Sequence, residues 1–151
     1  PDEGHAGARV ERFPSLPLAH FGLSMPPTTA GLAIDYQVAQ KLHACTDPHT
    51  REHPNDRVRD VVDLHLLKIA FYDGGAALAS LKAACCDLFA ERAKENAAAG
   101  GVRRPGWPPI VIAYAHWNAD YSKCANEVGL PLPLAEAVEV LNRWVERIDQ
   151  A

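Results

Sequence analysis

The sequence predicts a mainly α-helical fold of the α+β kind, in which a helical bundle carries a few edge strands. Apolar residues recur every three or four positions over the segments 34–45, 56–72, 76–97 and 133–149, which is the period of a helix with one buried face. Patterns typical of strands are confined to short stretches. The length of 151 residues, with 48% hydrophobic and 23% charged residues, fits one ordinary globular domain.

The N-terminal part is expected to be extended. Residues 8–13 alternate apolar and charged side chains, which predicts a short half-buried strand. Prolines follow at short intervals between residues 14 and 27 and disfavour helix there. We therefore expect residues 1–30 to be an N-terminal extended segment with one possible strand, and residues 31–151 to be a helical domain.

Two helices joined by a polar loop are predicted next. The first begins near Ile34, with Asp35 as an N-cap or first-turn acid, and ends before residue 46. The second covers about residues 56–72, with Asn55 or Asp56 as its cap, and stops at a pair of glycines. Helices joined by a loop of this size should pack antiparallel.

The rest of the chain alternates between helix and irregular segments. A third helix is predicted over about 76–97, and it too is followed by two glycines. The β-branched run at 110–114 is the strongest strand prediction in the chain. A short helix at about 118–128 and a final amphipathic helix at 133–149 complete the prediction. The apolar face of the final helix comprises Leu134, Ala137, Val138, Leu141, Trp144, Val145 and Ile148.

Charge and composition exclude several classes of protein. The net charge of −4 makes this chain a poor candidate for non-specific nucleic-acid binding. No apolar run approaches the ~20 residues of a membrane span, so we expect no membrane partner. The polar, acidic start does not fit a signal peptide. The four cysteines are too few for a disulfide framework, so we expect reduced thiols and a cytoplasmic protein.

The densest polar chemistry lies on the first two predicted helices. Their antiparallel packing can bring Lys41 near Asp63, and Asp60 shares a helix face with Asp63. A lysine with nearby arginines such as Arg57 and Arg59 suits a phosphate-handling site, in which a carboxylate orients the lysine or a nucleophile. A salt-bridged helix pair explains the same spacing. The residues alone leave both interpretations open.

The same two helices resemble a known family. Residues 35–44 read DYQVAQKLHA and residues 57–64 read RVRDVVDL. These segments are similar to the motifs EYQ-x-A-x-K-L-H-A and R-x-R-D-x-x-D-L of the AbiEii/AbiGii nucleotidyltransferases, the toxin components of type IV-like toxin–antitoxin and abortive-infection systems. The resemblance is specific over about residues 35–64 and extends over about residues 8–149.

The resemblance implies a fold, an activity and a set of site residues. The chain would be the C-terminal helical lobe of a polymerase-β-like nucleotidyltransferase, which moves a nucleotide from an NTP to an RNA acceptor such as tRNA and has a cognate antitoxin. Lys41 and Asp63 correspond to the catalytic positions: the lysine contacts nucleotide phosphates, and the aspartate orients the site or assists deprotonation of the acceptor hydroxyl. Arg57, Arg59 and Asp60 fall at flanking, substrate-binding positions.

One motif of the family is missing from these residues. The sequence contains no Gly-Ser pair followed by the acidic residues that bind Mg²⁺ in this family. We therefore expect Mg²⁺ to be held by an absent N-terminal half, and this chain to be inactive in nucleotidyl transfer when alone. The alternative is a non-catalytic helical module that binds a nucleotide, RNA or a cognate antitoxin.

Two further groups of residues have competing interpretations. His43, Cys45, His49 and His53 could ligate zinc, but their spacing matches none of the usual zinc patterns, and we predict no metal site among them. An aromatic group could stack nucleic-acid bases or pack in the core around the predicted strand, and core packing is favoured. Its members are Trp107, Tyr114, Trp117 and Tyr121.

Overall fold

The computed structural model describes residues 10–16, 21–22, 24, 26–73, 78–98 and 105–151. The described elements are, in chain order, β1 (Val10–Pro14), β2 (Thr28–Leu32), α1 (Ile34–Thr46), α2 (Val58–Phe71), α3 (Ala79–Ala98), a short 3₁₀ helix (Ala115–Trp117), α4 (Asn118–Glu127) and α5 (Leu134–Asp149). The predicted mainly α-helical, α+β fold is confirmed. The glycine pairs predicted to end the second and third helices lie outside the described residues, and the division of the chain after residue 30 stays a prediction.

The helices form one bundle around a shared core. α1 packs against both α2 and α3, while α5 contacts α2, α3 and α4. All seven apolar residues predicted on the inner face of the last helix are buried in α5. Burying a Leu, Val or Ile side chain fully contributes about 1.5–3 kcal/mol. Burial of several such side chains therefore favours the orientation of α5 in which its apolar face lies against the core. None of the helices in the described ranges is long and apolar enough to cross a membrane.

The strand predicted at 110–114 is wrong. This segment pairs with no strand among the described residues, and the Tyr114 N–H donates instead to the Ile112 carbonyl at 3.1 Å. Asn142 Oδ1 accepts from the Val111 N–H at 2.9 Å, and Asn142 Nδ2 donates to the Val111 carbonyl at 3.1 Å. The side-chain amide of Asn142 thus makes the two backbone hydrogen bonds that a neighbouring strand would otherwise make. Val111 is buried, whereas Ile110 and Ile112 on either side are exposed. A run of β-branched residues favours extended backbone, but it does not show whether a partner strand lies beside it.

The predicted N-terminal strand is present as β1, but it is not half-buried: four of its five residues are exposed and only Phe13 is partly buried. β1 pairs antiparallel with β2, from Val10 opposite Leu32 to Pro14 opposite Thr28. β2 was not predicted, because the prolines just before it indicated only an extended stretch. The pair Thr28-Thr29 is the β-branched signal that could have located it. Asp35 lies in the first turn of α1 as expected, although the N-cap position is Ala33.

A buried histidine between α2 and α5 makes stability depend on pH. His65 is buried, and its Nε2 donates a hydrogen bond to the Ala137 carbonyl at 2.9 Å. Burial lowers the pKa of His65, and this effect outweighs the carbonyl contact that raises it. The folded state therefore disfavours protonation relative to the unfolded chain. This contribution to stability is complete above pH 6.5 and is lost as the pH falls below that value.

We expect the His65→Gln variant to lose part of this pH dependence. As the pH falls from 7.5 to 5.5, the wild-type free energy of unfolding should decrease. His65 takes up at most one proton on unfolding, so its contribution to the slope is at most about 1.4 kcal/mol per pH unit. Urea titrations at several pH values measure the slope. The exposed His53→Gln variant is the matched control and should keep the wild-type slope. Equal slopes in all three proteins would contradict this role of His65.

Candidate functional site

The packing of α1 against α2 places a lysine between two carboxylates. Lys41 Nζ donates to Asp63 Oδ2 at 2.7 Å and to Asp60 Oδ1 at 2.9 Å. Asp60 and Asp63 are one helical turn apart on α2, so both reach the same ammonium group. The contact expected from an antiparallel helix hairpin is present, and Asp60 makes a second one.

The surroundings of Lys41 keep it charged and oriented. Burial lowers the pKa of Lys41, but the hydrogen bonds and charges of Asp63 and Asp60 outweigh it, and the net shift is upward. An ammonium group has three N–H donors, and the two carboxylates accept two of them. One donor therefore remains on a lysine side chain that is 29% exposed. The site holds a directed positive charge with capacity for one more acceptor.

This lysine lies on the wall of a cavity of about 720 Å³. α1 contributes Gln37, Gln40 and Lys41 to the lining, and α3 contributes Arg92. The turn before α2 and its first residues contribute Arg57 and Asp60, and Asp47, His43, Ala44, Leu88 and Leu32 complete the wall. The cavity thus collects polar and charged side chains from α1, α3 and the start of α2, and Leu32 at the end of β2 adds an apolar one.

The five site residues predicted from the sequence divide into two groups. Lys41, Asp60 and Asp63 form one hydrogen-bonded cluster, and Arg57 lines the cavity beside it. Arg59 lies elsewhere: its side chain is 72% exposed and its Nη2 is 3.9 Å from Glu127 Oε2 on α4. A hydrogen bond to Cys124 contributes to raising the pKa of this guanidinium.

Other polar residues of the α1 motif anchor the helix that carries Lys41. Gln37 Nε2 donates to the Leu32 carbonyl of β2 at 2.7 Å. Tyr36 donates to Asp87 of α3 at 2.7 Å, and Asp35 accepts from the Tyr72 hydroxyl just after α2. Because each bond goes to a different element, together they limit both sliding and rotation of α1.

Asn55 joins the end of α1 to the start of α2. Its Nδ2 donates to the Ala44 carbonyl at 3.1 Å and to the Asp47 carbonyl at 2.9 Å, and its Oδ1 accepts from the Arg57 N–H at 2.9 Å. The residue is only 6% exposed, and its own carbonyl accepts from Trp117 Nε1. The sequence predicted Asn55 or Asp56 as the cap of the second helix, and this is wrong: the N-cap position is Arg57, and no side chain makes a cap hydrogen bond there. Asn55 instead ties the turn before α2 to the end of α1, and so it positions Arg57 and Asp60 relative to Lys41.

The four zinc-ligand candidates lie in different surroundings. The His43 ring packs edge-on against Phe89 with centroids 5.1 Å apart, and Cys45 Sγ is hydrogen-bonded to the Leu42 carbonyl. His49 stacks on His116 at 4.7 Å, whereas His53 is exposed. The described part of the chain contains no group of three or more His, Cys, Asp or Glu side chains that could hold a metal ion.

The aromatic group serves mainly as core. Trp117 and Tyr121 are each 1% exposed, and Trp107 Nε1 donates to Asp149 Oδ1 at 2.8 Å. Tyr114 is half-buried and packs against Trp117 with ring centroids 4.9 Å apart. These positions agree with the core-packing interpretation.

Arg92 and Gln40 are cavity residues that were not predicted from the sequence. The apolar period of a helix shows which face is buried, but it does not show which element lies opposite its polar side chains.

The sequence matches one family model over nearly its whole length. The model, described as "Nucleotidyl transferase AbiEii toxin, Type IV TA system", covers residues 6–149. This range includes the cluster on α1 and α2 and every residue that lines the cavity. A search of curated proteins found no match.

Proposed function

The chain belongs to the AbiEii nucleotidyl transferase toxin family, and on this premise we propose that it is the C-terminal, lysine-bearing part of a toxin that transfers a nucleotide from an NTP to an RNA acceptor such as tRNA. Family membership itself supports nucleotidyl transfer, a nucleotide substrate and an antitoxin partner. The RNA acceptor and the division of labour among the residues below are parts of the proposal.

The observation that carries the proposal is the fixed ammonium group on the cavity wall. Asp60 and Asp63 hold Lys41 Nζ in place through two hydrogen bonds, so its remaining N–H needs little reorganisation to reach a phosphate oxygen. In this scheme Lys41 contacts the phosphates. Asp63 acts as a positioning residue through Lys41, since its carboxylate is bonded to the ammonium group and is not part of the cavity lining.

The described residues do not fit a Mg²⁺ site. Mg²⁺ requires several oxygen ligands in octahedral geometry. Among the described residues no group of three or more His, Cys, Asp or Glu side chains could hold a metal ion, and the carboxylates of Asp60 and Asp63 are both bonded to the Lys41 ammonium group. We therefore propose that the carboxylates for the metal come from outside the part of the chain that the structure describes, and that this chain alone does not transfer nucleotides. The chain's own contribution is to bind and orient the phosphates.

Label transfer tests the proposed activity. The native gene product that contains this chain, given each α-³²P-labelled NTP, Mg²⁺ and total bacterial RNA, should label RNA in the tRNA size range. The 151-residue chain alone should not. Labelling should stop when Mg²⁺ is removed by EDTA, and the antitoxin encoded with the gene should suppress growth arrest. Thermal stabilisation by NTP without RNA labelling would instead support the alternative, a non-catalytic nucleotide-binding module.

A cytoplasmic location is part of the same proposal. All four cysteines are unbridged, two of them buried in the core and two partly exposed. Unbridged thiols are typical of reducing compartments. The proposed substrates of this protein, an NTP and an RNA, are present in the same compartment.

A further inference from the structure

A third cationic side chain reaches the cavity from a helix outside the recognised motifs. Arg92 lies on α3, whereas Lys41 lies on α1 and Arg57 directly precedes α2. All three line the same cavity of about 720 Å³. Since they come from three separate elements, a ligand in this cavity can meet positive charge on several sides.

The charge of Lys41 is already compensated by its neighbours. One ammonium group faces two carboxylates within 2.9 Å, so the cluster of Lys41, Asp60 and Asp63 carries a net charge of −1. Asp47 adds a further carboxylate to the cavity wall. A triphosphate carries several negative charges, and this cluster alone cannot attract it. The attraction has to come from Arg57 and Arg92.

Both arginines have donors to spare. Arg92 Nη1 donates to Glu95 Oε2 at 2.8 Å, and a guanidinium group has five N–H donors. Within the described part of the chain, no hydrogen bond or ion pair engages the Arg57 guanidinium. Guanidinium groups bind phosphate oxygens in pairs, which gives both strength and orientation.

We propose that Arg92, together with Arg57, binds the polyphosphate of the nucleotide in this cavity, while Lys41 adds a single directed N–H. The inference rests on the proposed function and assigns the electrostatic attraction to a residue on α3. It implies that the cavity selects nucleoside triphosphates over nucleosides. The bound phosphates then lie between α3 and the start of α2.

Binding measurements on the 151-residue chain test this assignment. Isothermal titration with inorganic triphosphate, each NTP and the matching nucleosides is carried out on wild type, Arg57→Gln, Arg92→Gln and Lys94→Gln. Each arginine variant should weaken triphosphate and NTP binding about tenfold or more, because each loses charge-assisted hydrogen bonds. Lys94, exposed on the same helix and outside the cavity lining, is the matched control and should stay within about twofold of wild type.

Two further variants exclude a merely structural effect. Arg92→Lys keeps the charge but loses the paired donors, so its affinity should fall between those of wild type and Arg92→Gln. Glu95→Gln releases Arg92 from its ion pair and should strengthen triphosphate binding. The midpoint of thermal unfolding without ligand should be the same in all these proteins, since Arg92 is 43% exposed.

The outcomes separate this inference from the function on which it rests. If wild type binds triphosphate and Arg92→Gln binds it with the same affinity, the role of Arg92 is overturned and the proposed function stands. Equal losses of triphosphate affinity in Arg92→Gln and Lys94→Gln would indicate attraction by the overall electrostatic field of the protein, and would also overturn the role of Arg92. No binding of any NTP or of triphosphate by wild type would overturn both the inference and the nucleotide site of the proposed function.

Discussion

Replacing Lys41 with alanine is expected to reduce nucleotidyl transfer by the native gene product about 10²–10³-fold, the usual effect of removing one oriented group that stabilises developing charge. The lysine is fixed by Asp63 at 2.7 Å and Asp60 at 2.9 Å. No other ammonium group lines the described cavity. Transfer of labelled nucleotide to RNA gives the rate, and the KM for the NTP is measured on the same preparations.

The fold should survive this substitution. The three side chains of the cluster are 13–35% exposed, so water can solvate the carboxylates that remain, and we expect a loss of about 1 kcal/mol in the free energy of unfolding. Asp63→Ala should likewise keep the fold and lose most of the activity, since Lys41 then has one anchor fewer. Lys94→Ala, on an exposed helix face, is the control for both. Unfolding of both cluster variants would favour a purely structural salt bridge.

Replacing Asn55 with alanine is expected to destabilise the fold by about 2–4 kcal/mol. Its side chain makes three hydrogen bonds with backbone groups, and these groups lose their partner in a site that is 6% exposed. Urea unfolding followed by circular dichroism measures the change. We also expect activity to fall beyond the loss of folded protein, since Asn55 sets the start of α2 against the end of α1.

Two companion variants make the Asn55 result specific. Asn126→Ala changes an exposed asparagine on α4 and should stay within about 0.5 kcal/mol of wild type. Asn55→Asp keeps the shape but places a carboxylate against the Ala44 and Asp47 carbonyls, so it should destabilise at least as much as alanine. A loss below about 1 kcal/mol in Asn55→Ala would show that water replaces these bonds at little cost.

Much of the helical fold could be predicted because its signals are local. The inner face of α5 was predicted residue by residue, since burial of one face requires the apolar period that the sequence displays. The approach of Lys41 to Asp63 followed from a short loop between two amphipathic helices, a constraint that is also encoded locally. Their proposed chemistry, in contrast, came from resemblance to a family, because spacing alone suits a salt bridge equally well.

The sequence by itself determined which segments become helices, which face of each is apolar, and which family the chain resembles. Only the tertiary structure decided which polar groups meet. It placed Arg92 of α3 in the cavity of Lys41, turned Arg59 towards Glu127, and gave Val111 an asparagine side chain in place of a strand partner. The reason is physical: periodicity depends on neighbours along the chain, whereas ion pairs and backbone partners depend on elements that only packing brings together.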